Sequence, residues 1–348
     1  MAKTKRRWTK ALIIIGVVLL VAAIALFVCG MSAADWDFKK LSTVRYTQKE
    51  YSLEEGAQTD SIFVRYTSAH VEISYREDAS NVQISYPVRI NSNGEEIASV
   101  SVTFESGALR VEEKDDTFDL FSWNLSTPTL TVILPAETEC ALDIDTGNGS
   151  VSVSAANAVN APSVKVHSDN GDIAISPAGG LHVRGNAEFS SDNGRVSVEG
   201  LTAEGNVTLE SDNGNIDLTN AGASAVSAET DNGNLTLTNL QISGALSAKS
   251  KNGDIRLRES VRAASFSAET DNGDIFVAEG GVLGANELTF RTDLGAIRIN
   301  GALAGSQSDY TFFINTGTGS SNIPSGGSGA IRLNATTDLG DITLRFEK

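Results

Sequence analysis

The string ESDNGNIDL, at residues 210–218, places a polar turn between two stretches in which apolar residues alternate. Val207 and Leu209 precede the turn, and Ile216 and Leu218 follow it. This period of two indicates two β-strands that each bury one face. Asp can accept hydrogen bonds from nearby backbone N–H groups, while Asn and Gly tolerate the left-handed backbone conformation. The string therefore predicts a strand, a tight turn in that conformation and a second strand.

The same unit occurs in ten copies, whose turn glycines run from Gly149 to Gly340. Related strings include HSDNGDIAI, SSDNGRVSV, ETDNGNLTL, KSKNGDIRL and ETDNGDIFV, and successive turn glycines lie 19 to 24 residues apart. One copy cannot bury its own apolar face, so a nearly constant period predicts a repeat architecture in which neighbours bury it jointly. A series of antiparallel hairpins is the alternative, with more variable links. The predicted structural turn residues are Gly149, Asn170, Gly171, Asn193, Gly194, Asn213, Gly214, Asn232, Gly233, Asn252, Gly253, Asn272, Gly273, Gly295, Gly319 and Gly340.

The preferred fold class is all-β, a parallel β-solenoid of about ten rungs that occupies residues 141–348. Equivalent strands of successive copies would stack about 4.8 Å apart. The open end of such a stack is a template for further pairing and needs protection. The last copy ends in Arg345, Glu347 and Lys348, and we expect these charges to protect that end.

Residues 59–140 keep the strand alternation but lose the regular period. They predict an irregular β-rich N-terminal cap that continues into the solenoid. Within this cap, ESGALRVEE at residues 105–113 is interpreted as a degenerate copy of the turn.

An uncharged segment, ALIIIGVVLLVAAIALFVCGMSAA at residues 11–34, follows a basic tail at residues 1–10. The segment is long enough for one transmembrane helix. The basic tail precedes it and Asp35 and Asp37 follow it, so we expect a single-pass cell-membrane protein with a cytoplasmic N-terminus and an extracytoplasmic C-terminal domain. A cleaved signal peptide is the alternative, because SAA precedes Asp35. Residues 35–58 are polar without a clear period and are predicted to form a juxtamembrane linker.

Composition limits the classes of partner. The net charge of −17 disfavours nucleic acid and anionic lipid. Cys29 and Cys140 form neither a disulfide framework nor a metal-binding spacing. The sequence contains no GxSxG, HExxH or P-loop motif, and no GxGxxG in a strand–helix context. No cofactor is predicted.

Two functional interpretations of the turns compete with plain turn stabilisation. Asp271 and Asp274 are the candidates for a calcium site, because carboxylate and amide oxygens are hard ligands. The spacing of an EF-hand and the nonapeptide of calcium-binding β-rolls are absent, so turn stabilisation is favoured and no metal is predicted.

His70, His167 and His182 lie in strand-like stretches and are expected to be packing or surface residues.

The alternative function is that of a carbohydrate-active enzyme, a polysaccharide lyase or hydrolase on a β-helix. Catalytic carboxylates work as a pair with distinct environments, whereas the acids of this chain repeat at every rung. We therefore expect a non-enzyme.

The strand LTVILP at residues 130–135 and the serial [ST]-D-N-G-x-[IVL]-x-[LVI] units resemble the DUF4097 family, bacterial β-strand-repeat envelope proteins provisionally named adhesins. The resemblance covers about residues 60–348. It implies a surface-exposed β-solenoid, often membrane-anchored and sometimes associated with envelope-stress systems, and it implies no catalytic residues. Leu294, Thr318 and Leu339 replace the Asn of the turn, so a ligand row built on that Asn would be interrupted near the C-terminus.

These observations together lead to one expected function. We expect a non-enzymatic, membrane-anchored envelope protein whose solenoid serves adhesion, or interaction with an envelope protein or a glycan.

Overall fold

The computed structural model describes residues 2–33, 35–36, 45–91, 93–114, 127–278 and 283–346. One α-helix precedes a β fold. The elements before the regular repeats are α1 (Ala2–Ala33), β1 (Arg45–Ser52), β2 (Ser61–Tyr66), β3 (His70–Arg76), β4 (Gln83–Ile90), β5 (Ser99–Glu105), β6 (Ala108–Lys114) and β7 (Thr129–Pro135).

Helix α1 covers most of the apolar segment at residues 11–34. None of the helices in the described part of the chain combines the length and the apolar character that a membrane span requires.

The regular repeats consist of short strands joined by tight turns. They are β8 (Ala141–Thr146), β9 (Val151–Ala155), β10 (Val159–Ala161), β11 (Val164–Ser168), β12 (Ile173–Ile175), β13 (Leu181–Val183), β14 (Ala187–Ser191), β15 (Val196–Glu199), β16 (Leu201–Ala203), β17 (Asn206–Ser211), β18 (Ile216–Ala223), β19 (Ala225–Thr230), β20 (Leu235–Ile242), β21 (Ala245–Asn252), β22 (Ile255–Arg262), β23 (Ser265–Asn272), β24 (Ile275–Val277), β25 (Leu283–Gly284), β26 (Glu287–Leu294) and β27 (Ile297–Leu303). The C-terminal elements are a 3-10 helix (Gln307–Asp309), β28 (Tyr310–Thr318), β29 (Gly326–Gly327), β30 (Ile331–Leu339) and β31 (Ile342–Phe346).

Each regular turn of the chain contributes to three parallel ladders, which we call the first, second and third faces. The first face contains β8, β11, β14, β17, β19, β21, β23, β26, β30 and β28. The second face contains β9, β12, β15, β24, β31 and the first parts of β18, β20, β22 and β27. The third face contains β10, β13, β16, β25 and the last parts of the longer strands. The parallel pairing confirms the solenoid and excludes the hairpin series.

The alternating apolar residues point inward from all three faces and form one continuous core. Val207 and Leu209 on the first face, and Ile216 and Leu218 on the second, are each at most 1% exposed. The DNG turns join the first face to the second. The second corner bends in the left-handed conformation at Asn220, Asn239 and Glu259, where φ lies between 52° and 57°.

The strand order is inverted at the C-terminal end. Strand β30 pairs with β26, and β28 pairs with the far side of β30, so the last copy in the chain lies inside the penultimate one. Within the described residues, the segment between β28 and β30 forms no strand on the second face. It contributes only the isolated bridge between Ser321 and Ile342 there. The stack therefore has about nine full turns and not ten, because the copy at Gly319 supplies only half a turn.

The C-terminal edge is protected differently from the prediction. Arg345 lies on β31, in the inserted turn and not on the outermost strand, and residues 347 and 348 lie outside the described residues. The outermost strand β28 is instead covered by the antiparallel β29. Beside it, the Ser325 hydroxyl accepts a hydrogen bond from Ile314 N at 2.8 Å and donates one to Ile314 O at 2.9 Å.

The N-terminal end is inverted in the same way. Strands β2 and β3 pair with β8 and β9, while β6 and β7 pair with the far sides of β2 and β3. The antiparallel strands β1, β4 and β5 complete the cap. Strand β1 lies within residues 35–58, the segment predicted to be a linker. The strand is polar and none of its residues is fully buried, so its sequence shows no alternation of apolar residues.

The string ESGALRVEE is a hairpin between β5 and β6 and not a copy of the repeat turn. Ser106 and Gly107 both have positive φ, at 50° and 77°. Two such residues form the two-residue turn that suits antiparallel strands. The interpretation as a degenerate repeat is therefore wrong.

Candidate interaction surface

The turn glycines are required by the close approach of successive turns. A Cβ atom on Gly233 would lie 2.0 Å from the carbonyl oxygen of Gly214, and the glycines from Gly171 to Gly340 meet the preceding glycine in the stack at 1.9 to 2.2 Å. The eight turn glycines from Gly149 to Gly295 have φ outside the left-handed range, and no turn asparagine among the described residues has a positive φ. The predicted left-handed turn is therefore wrong, because the glycine provides space for the neighbouring backbone.

A buried hydroxyl group lies three residues before each of these glycines. Thr230 Oγ1 donates a hydrogen bond to the Gly214 carbonyl at 2.9 Å, and Thr230 is 1% exposed. This contact joins each turn to the one before it. The residues that repeat the bond, at 2.8 to 2.9 Å, are Ser168, Ser191, Ser211, Ser250, Thr270, Thr292 and Thr337. This role was not among the predictions from the sequence, although Ser or Thr occurs at that position in every copy.

The turn asparagines form an amide ladder along the corner between the first and second faces. Each side-chain N–H donates to the Oδ1 of the preceding asparagine, at 2.9 to 3.1 Å, from Asn272 back to Asn148. Leu294 and Leu339 follow in register and are half exposed. The ladder is thus interrupted where the sequence predicted, and its amides bind one another along the stack.

In several copies the side chain of the residue after the glycine accepts a hydrogen bond from a backbone N–H of the next turn. Asp274 Oδ1 accepts from Ala296 N at 2.8 Å, and Oδ2 accepts from Arg298 at 2.5 Å. Burial alone would raise the pKa of Asp274, but the hydrogen bond from Ala296 N and the bond and charge of Arg298 outweigh it and lower that pKa below its ordinary value. Asp254 makes the equivalent bond to Asp274 N. The carboxylate of Asp274 therefore links adjacent turns.

The other calcium candidate, Asp271, is exposed at the same corner. Within the described part of the chain, no group of three or more His, Cys, Asp or Glu side chains is arranged to hold a metal ion. Turn stabilisation without a metal stays the prediction for Asp271 and Asp274, and a calcium-binding measurement tests it.

The remaining titratable candidates have structural contacts. His70 Nδ1 accepts a hydrogen bond from Ser150 N at 2.9 Å, which extends the rung-to-rung bonding into the cap. His167 contacts Ser190 on the next turn. Burial raises the pKa of the Cys140 thiol to about 11, so this thiol stays protonated at neutral pH.

The outward side of the first face carries an unbroken row of hydroxyl groups. The members of this hydroxyl row occupy equivalent positions on five successive turns and are Thr208, Ser227, Ser247, Ser267 and Thr289. All are exposed or half-exposed. Among the described residues, no hydrogen bond engages the side chains of Thr208, Ser227 or Ser247. These hydroxyls are therefore free to bind a ligand, unlike those of the turns.

The hydroxyl row has charged and aromatic neighbours. A parallel outward row contains Glu229, Lys249, Glu269 and Arg291. Toward the N-terminal cap, a shallow pocket of about 390 Å³ is lined by Phe63, Asp143, Lys165 and Glu188 among others. Arg110 lies over the Phe63 ring at 4.0 Å from its centroid. The first face thus presents a flat polar surface whose ends differ chemically.

The fold and this surface define a repeat solenoid in which the recurrent turn residues stabilise the stack and the outer faces carry the groups available to a partner. The chain belongs to the family described as Toastrack DUF4097, whose sequence profile matches residues 59–287. This match confirms the resemblance seen in the repeat units. No curated protein shows significant similarity to the chain.

Several solved structures match the chain at low sequence identity. One, from Bacteroides fragilis and provisionally named an adhesin, has 15% identity and a TM-score of 0.37, covering 73% of this chain and 96% of its own. Another, from Parabacteroides distasonis and provisionally named a lipid-binding protein, has 15% identity and a TM-score of 0.34 over the same shares. A third, from Clostridium sporogenes and provisionally named a cell adhesion protein, has 9% identity and a TM-score of 0.21, covering 87% and 100%.

Proposed function

We propose that this chain is a non-enzymatic envelope protein whose solenoid binds a glycan or an envelope protein in adhesion. The observation that carries the proposal is the hydroxyl row, which presents a hydroxyl group on each of five successive turns of the first face. Three of these side chains, Thr208, Ser227 and Ser247, form no hydrogen bond with any described residue. At about 4.8 Å between neighbours, five such groups extend over roughly 20 Å. A repetitive ligand can meet several of them at once, and this multiplies weak contacts.

The turn residues favour a binding role over catalysis. Their hydroxyls, amides and carboxylates are engaged in bonds between turns, so they are not arranged as a catalytic pair. The family to which the chain belongs carries no enzyme name. These features favour a module that binds through its outer faces.

Membrane attachment forms a separate part of the proposal. We infer from the sequence that residues 11–34, which contain no charged side chain, anchor the chain with residues 1–10 in the cytoplasm. Carbonate extraction of membranes tests this: the full chain should stay in the membrane pellet, and a protein whose mature N-terminus lies beyond residue 34 would contradict it.

Paired substitutions on two faces test the binding role. Binding of the detergent-solubilised full chain to purified envelope glycans and solubilised envelope proteins should be saturable. It should weaken at least severalfold when Ser227 and Ser247 are both changed to Lys. The matched control changes Ser152 and Ser197, outward residues of the second face, to Lys. Equal binding by the two double variants would contradict a role for the hydroxyl row.

A further inference from the structure

Positive charge is concentrated in one part of the second face. Strands β9, β12, β15, β18 and β20 contain no Lys or Arg, whereas β22, β27 and β31 contain all the arginines of this ladder. We define the arginine patch as four outward arginines of these strands and one aromatic residue of β24: Arg256, Arg258, Phe276, Arg298 and Arg345. Such a cluster of arginines is unexpected on a chain with a net charge of −17.

The register aligns part of the patch along the solenoid. Arg256 pairs with Phe276, and Phe276 pairs with Arg298, so the three occupy equivalent positions on three successive turns. Two steps of about 4.8 Å place the two arginine positions roughly 10 Å apart, with the aromatic ring between them. Phe276 alternates with the buried Ile275 and Val277, so its half-buried ring faces outward.

The guanidinium groups retain capacity for an external ligand. Arg256 is paired with Asp254, and Arg298 with Asp274, each at 2.5 Å. A guanidinium has five N–H donors, so one such pair leaves donors unused. Arg258 is exposed and forms no ion pair with any described residue, and the same holds for Arg345.

We propose that the arginine patch binds a linear carboxylated glycan that lies along the solenoid axis. Guanidinium groups bind carboxylates through two parallel hydrogen bonds, which suits acids spaced about 10 Å apart along a polymer. The Phe276 ring between the arginines offers a flat apolar surface to the face of an uncharged sugar ring. The acidic remainder of the molecule repels the polymer elsewhere and so confines it to the patch.

The arginine patch is a second binding site beside the hydroxyl row. This inference rests on the proposed function only because it treats the solenoid as a binding module. The hydroxyl row lies on the first face and the arginine patch on the second, so the two are tested by different variants. A free phosphate polymer shares the negative charge, but it has no apolar face to place on Phe276.

The test uses the full chain in detergent micelles and fluorescently labelled hyaluronan oligosaccharides, in which glucuronate alternates with an uncharged sugar. Changing Arg258 and Arg345 together to Gln should weaken binding about twofold to thirtyfold, since each exposed ion pair contributes about 0.2–1 kcal/mol. The variant Phe276→Leu should weaken it about twofold to tenfold. The matched control, Arg332→Gln, removes an exposed arginine of the first face at the same end and should leave affinity unchanged.

Two comparison ligands complete the experiment. Oligosaccharides whose carboxylates have been reduced to alcohols should lose most of the binding, and polyphosphate should bind without sensitivity to Phe276→Leu. Equal affinity for the reduced ligand, no effect of the double arginine variant, or an equal effect of Arg332→Gln would overturn the proposal. Each variant should keep the wild-type circular dichroism spectrum. Failure here, with the Ser227 and Ser247 variant still impaired in envelope binding, would reject the arginine patch and retain the proposed function.

Discussion

The substitution Gly233→Ala tests the close packing of the turns. The added Cβ would lie 2.0 Å from the Gly214 carbonyl oxygen, so the two turns must separate by at least about 1 Å to reach a distance that real Cβ atoms show. That shift stretches the 2.9 Å bond from Thr230 Oγ1 to Gly214 O and the 2.8 Å bond from Asn232 N to Asp212 O. Two or three weakened bonds, with a buried hydroxyl left unpaired, cost about 2–5 kcal/mol.

The measurement is guanidinium unfolding of the full chain in detergent, followed by circular dichroism. Because a solenoid is stabilised turn by turn, the variant should lose stability and can divide one transition into two. The control is Gly222→Ala, whose Cβ would meet only the Gln241 carbonyl oxygen, at an ordinary 3.6 Å. That control should change stability by less than about 1 kcal/mol. If both variants unfold alike, the turn glycines are not required for the approach of neighbouring turns.

Three further perturbations test other features of the stack. Thr230→Val keeps the shape but leaves the Gly214 carbonyl without its donor, and should cost about 1–3 kcal/mol in denaturant unfolding, whereas Thr208→Val on the outer surface should be nearly neutral. Glu259 is exposed and has a φ of 57°, a backbone conformation that Gly adopts without strain. Glu259→Gly should therefore stabilise the protein by about 1 kcal/mol in calorimetry, whereas Glu259→Gln should not. Because the folded-state pKa of Asp274 is lowered, its contribution is present above its ordinary pKa near 3.8 and is lost as pH falls through the folded value. Asp274→Asn should therefore be less stable than the wild type at pH 7 and equal to it well below pH 4; a constant difference across that range would contradict this.

The parallel stacking could be predicted because it depends on two features that the sequence displays directly. Alternating apolar residues define which side of each strand is buried, and the nearly constant spacing of glycines from Gly149 to Gly295 brings equivalent strands into register. The end of the amide ladder at Leu294 could be predicted for the same reason. Each of these inferences needs only one copy and its neighbour.

The reason for the glycine could not be predicted from the sequence. A left-handed turn and a close approach of two backbones both disfavour a side chain, so Gly occurs in the sequence in either case. The distinction depends on the distance to the preceding turn, which is a property of the stack.

The order of the terminal turns could not be predicted either. Thr337 bonds the Gly295 carbonyl in the way that Thr292 bonds the Gly273 carbonyl, so the contact surfaces of the copies are equivalent. Any copy can stack on any other by this criterion. The segments at residues 304–309 and 319–330, which lead into and out of β28, permit the last copy to lie between β26 and β28.

The inserted turn at the C-terminal end makes the last residues unusually important for the biogenesis of the protein. Synthesis delivers β28 before β30, yet β30 must occupy the place between β26 and β28. Protein ends commonly tolerate trimming because few contacts depend on them. Here a ribosome that stops after residue 330 would leave β26 and β28 without the strand between them, and both would present open edges to other chains. Closure of this end of the stack therefore depends on the synthesis of residues 331–346, which form β30 and β31.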